Sequence, residues 1–224
     1  MKKQLMSGTG MSEHVFDRDN KIVTIDFSGQ STEGCYRNDA SVVFFAANSY
    51  MATNYALRDE IKRRFEENYR EKDIEHLIMP FFFSFRHAVE LFLKGLIVSI
   101  SGTSPKDTHK LQSLLDALDS LLKSLKKPSD SHLNEKAFDD QKTVILSVFH
   151  ELSAMINNYG KREVSEEYYR YIFGLDKNKE FLLTETKLSL DYSTTSEEFN
   201  RVFNMIYKLC KTLREADIYI YFTL

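Results

Sequence analysis

Residues 81–118 read FFFSFRHAVELFLKGLIVSISGTSPKDTHKLQSLLDAL. A nearly apolar run carries Arg86, His87, Glu90 and Lys94 at its centre. A polar turn follows, and His109 opens a second apolar-periodic run. Phe82, Phe85, Val89, Phe92, Leu93, Leu96 and Ile100 recur at helical spacing over much of one circumference. At 3.6 residues per turn, the four polar side chains fall within a sector of about 100°. The run is therefore a helix buried nearly all round, with one polar seam. Pro80 suits its first turn and Ser101–Pro105 its end, which predicts a helix over 80–101.

The seam admits two readings. Glu90 before Lys94 at i,i+4 is the favourable order for an ion pair, worth about 0.3–0.5 kcal/mol if exposed. A structural ion pair, or a seam closed at a subunit interface, accounts for that. Alternatively, Arg86, His87 and Lys94 converge as a ligand or RNA-phosphate site, with Glu90 orienting them. A membrane span over 78–100 has the right length, but Arg86, Glu90 and Lys94 would each cost roughly 2.5–3.5 kcal/mol near its centre. That argues against membrane insertion.

Working outward, the same periodicity predicts a helix over 39–69, through Val43, Ala47, Tyr50, Asn54, Leu57, Ile61 and Phe65. A third helix fits 109–125, with a Leu stripe from Leu111 to Leu122 and Thr108 as its N-cap. A fourth fits 134–158, a short one 165–171, and a last one begins at Thr195 or Ser196 and runs to about 218. There Glu198, three after Thr195, has capping-box spacing. Val15-Phe16 and Ile22–Ile25 flank turn chemistry at 17–20 and read as a hairpin. Residues 180–192 have β character and could pair with it. The expected organisation is a disordered tail over 1–12, a hairpin and connection over 13–38, and a helical domain over 39–224. The fold class is mainly α: an antiparallel bundle of four to five long helices with a small β appendage.

Composition narrows the function classes. With 42% hydrophobic and 28% charged residues, the chain can bury a core and is not a disordered one. Three Pro and eight Gly in 224 residues favour long helices over a turn-rich β fold. A net charge of -3 gives no global attraction to nucleic acid and leaves room only for a local basic groove. Cys35 and Cys210 form no framework, and the first residues carry no apolar signal core, so a cytoplasmic location is expected. The scattered His residues make no HxxxH or HExxH, and there is no Walker loop or GxGxxG. No metal and no cofactor is expected. Arg170, between Tyr169 and Tyr171, could stack and reach a phosphate or a carboxylate such as Glu90.

Ala88, Glu90, Leu93 and Lys94, followed by Thr108, His109 and Leu111, give A-x-E-x-x-L-K, a turn and T-H-x-L. This pattern resembles the signature of the HEPN superfamily of helical-bundle proteins. Tyr169-Arg170-Tyr171 is similar to the RY(P) element of many members, with Ile172 where Pro would stand. The likeness covers roughly residues 40–217. It implies a homodimeric helical bundle that binds RNA or a nucleotide in bacterial phage defence or a toxin–antitoxin system, with an antitoxin or defence-system protein as a further partner. It equally fits a non-catalytic, partner-binding dimer.

Catalytic members are metal-independent ribonucleases carrying Arg, four to six residues, then His, late in the domain. This chain has no His after His150. The pair with that spacing is Arg70 and His76, between the first and second helices. With His87 and His109, these are the candidate residues for a ribonuclease. The ligand-binding candidates are Arg86, His87, Glu90, Lys94, His109 and Arg170.

Overall fold

The computed structural model describes residues 14–17, 22–25, 36–103, 109–160 and 191–218. These hold strands β1 (His14–Asp17) and β2 (Ile22–Ile25) and helices α1 (Tyr36–Glu66), α2 (Glu71–Ser101), α3 (Leu111–Lys123), α4 (Glu135–Gly160) and α5 (Tyr192–Glu215). The architecture is a mainly α bundle. The tail at 1–12, the short helix at 165–171, the segment 180–190 and Arg170 lie outside the described residues, as does Thr108.

β1 and β2 pair antiparallel, with His14 opposite Ile25 and Asp17 opposite Ile22. The expected small β appendage, built from the N-terminus and 180–192, is not supported. The sheet has these two strands alone among the described residues, and Tyr192 opens α5 instead of ending a strand.

α1 and α2 form an antiparallel hairpin whose register is visible in its contacts. Phe44 meets Phe92, and Tyr50 meets Phe83 and His87. Buried Asn54 donates from Nδ2 to the Phe81 carbonyl at 2.7 Å and to Ser84 Oγ at 3.2 Å. At Gly95 the two helices approach so closely that a Cβ would lie 2.7 Å from the Phe44 ring. α1 stops at Glu66, short of Tyr69, because Asn68 takes a left-handed φ of 55°. The Asn68 and Tyr69 N–H groups then close back on the carbonyls of Phe65 and Arg64.

α2 starts at Glu71, not at Pro80. Pro80 lies inside the helix and faces solvent. Its missing N–H leaves the carbonyl of exposed His76 to water. What carries the helix nine residues further is Ile74, buried like Ile61 of α1, together with a hydrogen bond from Arg64 to the Asp73 carbonyl. Gly102, with φ 67°, ends α2 as the sequence implies, its N–H bonded to the Val98 carbonyl.

α5 runs antiparallel to α1 and parallel to α2, so the bundle is not antiparallel throughout. Tyr192 lies beside Phe65, and Tyr207 beside Met51. On α2, Phe199 stacks on Phe85 with ring centroids 3.5 Å apart, and Phe203 sits against Phe92. The expected capping box at Thr195 is displaced by Asp191, whose side chain accepts from the Thr194 N–H and hydroxyl. Thr195 is instead a buried first-turn residue, because Tyr192 is drawn in by a hydrogen bond to the Arg58 carbonyl. α4 packs antiparallel on α5, with Gln141 near Thr212 and Lys208 facing Glu151. Its N-cap is Asn134, which accepts from the Ala137 N–H at 2.9 Å. α2 thus lies at the centre, walled by α1, α3 and α5. Phe81, Phe85, Ala88, Val89, Phe92, Leu93 and Leu96 all bury there. Among the described residues, no helix is long and apolar enough to cross a membrane.

Candidate functional site

The seam expected on α2 is present, and it is organised around one carboxylate. Glu90 is buried, with its side chain 1% exposed. Its oxygens have separate partners. Oε1 takes Lys94 Nζ at 2.9 Å and His109 Nδ1 at 2.8 Å. Oε2 faces Arg86 Nη1 at 3.4 Å and His87 Nδ1 at 3.8 Å. The last separation is an electrostatic approach too long for a hydrogen bond.

Helical spacing explains the α2 half. Arg86, Glu90 and Lys94 lie one turn apart on one face, and His87 sits beside them. The His87 ring is packed parallel to Phe83 at 5.4 Å and edge-on to Tyr50 at 4.4 Å. The α3 half comes from the chain just before Leu111. There His109 contributes its ring to Glu90 and its carbonyl to Arg86 Nη2, at 2.8 Å. His109 precedes the helix instead of standing in its first turn: Lys110 occupies the N-cap position, without a side-chain cap bond. Arg86 thus fixes the chain just before α3 through a carbonyl, and does not cap the N–H groups of its first turn.

Burial is graded across the cluster. Arg86 is 4% exposed, Lys94 17%, and His109 49%. Glu90 and Arg86 form the floor, and Lys94 and His109 the rim. Burial by itself would raise the Glu90 pKa. The contacts with His87, Lys94 and His109, and the Lys94 charge, outweigh it and hold the carboxyl down at about 2. Glu90 is therefore a permanent anion at neutral pH. An ionised carboxylate only accepts hydrogen bonds, so the proton between it and His109 belongs to Nδ1 of the imidazole.

The sequence candidates Arg86, His87, Glu90, Lys94 and His109 thus come together. Arg70 and His76 do not join them. Arg70 is 84% exposed and holds Asp73 at 3.1 Å, while His76 Nε2 lies 3.4 Å from Arg64 Nη1. Each has its own neighbour at the α1–α2 turn. His132 and His150 are likewise engaged elsewhere, with Asp217 at 2.7 Å and Asp119 at 3.3 Å. No group of His, Cys, Asp and Glu that could hold a metal ion occurs among the described residues. Two features of the site carried no sequence signal: the His109 carbonyl as a partner of Arg86, and the Tyr50 and Phe83 rings around His87. Tyr50 and Phe83 follow ordinary helical spacing and read as core.

The cluster thus gathers Arg86, Lys94 and two imidazoles around one buried carboxylate. The fold defines the class of the protein as a mainly helical bundle. No protein-family model, no curated protein and no solved structure matches the chain.

Proposed function

We propose that this chain is a HEPN-like helical-bundle protein that binds phosphate groups of RNA or a nucleotide at the α2–α3 seam, in a bacterial phage-defence or toxin–antitoxin setting. The observation that carries this reading is the convergence of Lys94 and His109 on Oε1 of Glu90, with Arg86 and His87 behind them. A purely structural ion pair needs one cation for one carboxylate. Here a rim cation and a half-exposed imidazole stand where an incoming phosphate would meet them. The A-x-E-x-x-L-K and T-H-x-L resemblance supplies the ligand class, and the same residues that carry the resemblance build the cluster.

The test is fluorescence anisotropy with end-labelled single-stranded RNA and with a labelled nucleotide, in EDTA, at low and moderate salt. Binding that weakens with salt, and weakens further in Lys94→Ala and His109→Ala, supports the reading. No binding of either probe at low salt overturns it in favour of a non-catalytic, homodimeric partner-binding module, which sedimentation would then show as a dimer.

A further inference from the structure

We draw no further inference here: the strongest candidate, the partly exposed ring cluster of Tyr50, Phe83 and His87 on the α1–α2 hairpin, adjoins the seam already described, and nothing among the described residues shows what covers it.

Discussion

Nη2 of Arg86 donates to the backbone carbonyl of His109 at 2.8 Å, so a buried side chain of α2 fixes the chain where α3 begins. The same guanidinium faces Glu90 at 3.4 Å. Removing it does two things at once: it strips a cation from a buried carboxylate and releases a carbonyl. Arg86→Ala should therefore destabilise by about 3–5 kcal/mol, the range for breaking a buried ion pair from one side. Arg86→Lys keeps the charge but lacks the fork that spans both acceptors, and should fall between. Urea unfolding midpoints measure both.

Glu90 should make stability depend on acid in a defined window. Its folded pKa is held at about 2, below the ordinary glutamate value of 4.5. A depressed carboxyl contributes stability that is complete above the unfolded value and is lost as pH falls through the folded one. The window is therefore about pH 4.5 down to 2, and the loss is roughly 3 kcal/mol. Glu60, Asp73, Asp119, Asp191 and Asp217 are lowered in the same direction, so the wild type alone does not isolate Glu90. The difference between wild type and Glu90→Gln does. That difference should be largest near neutral pH and shrink toward pH 2. A difference that stays constant across the window would refute the assignment.

How much of this was legible depends on the length scale of the cause. The Arg86–Glu90–Lys94 seam and the Leu stripe of α3 follow from helical period alone, and the stop at Gly102 from glycine's access to the left-handed conformation. His109 could be nominated as a site residue, but its backbone partner could not, because that bond spans two helices and a loop. Pro80 misled for a related reason. Its local preference marks a helix start, yet buried Ile74 outweighs it from six residues upstream. Asp191 likewise displaced the capping box at Thr195, because Tyr192 reaches Arg58 across the bundle. Asn68 and Asp217 end helices in left-handed conformation, which no periodicity announces.

Gly95 offers a prediction whose sign is set by two opposing magnitudes. Replacing an interior helical glycine by alanine normally stabilises by about 0.5–1 kcal/mol. Here the new methyl would stand 2.7–2.9 Å from three atoms of the Phe44 ring. Phe44 is 1% exposed and is held against Phe92, so it has little room to yield. Overpacking of this kind costs about 1–3 kcal/mol. Gly95→Ala should thus be destabilising on balance. The double variant Gly95→Ala, Phe44→Leu should recover part of the loss, since the ring that collides is gone. Thermal melts of the wild type and the two variants decide it, and an unshifted or raised melting temperature for Gly95→Ala would contradict the close approach of α1 and α2.

Asp217 holds a backbone conformation that favours glycine, with φ 57°, and its side chain explains why an aspartate stands there. The carboxylate accepts from Ser131 Oγ at 2.6 Å and from the His132 N–H at 3.0 Å, and His132 Nδ1 lies 2.7 Å away. One residue thereby ends α5 and ties it to the loop that leads into α4. The N–H groups of Asp217 and Ile218 close on the carbonyls of Arg214 and Leu213, the pattern of a left-handed helix stop. Asp217→Gly relieves the backbone but loses the tie, whereas Asp217→Ala loses the tie and keeps the strain. Stability should therefore rank wild type first, Asp217→Gly second and Asp217→Ala last. The Ser131→Ala substitution should cost less than either, since the His132 contacts to Asp217 survive it. Chemical denaturation of the four proteins under one buffer tests the order. A glycine variant less stable than the alanine variant would mean that backbone strain at Asp217 has no part in the effect.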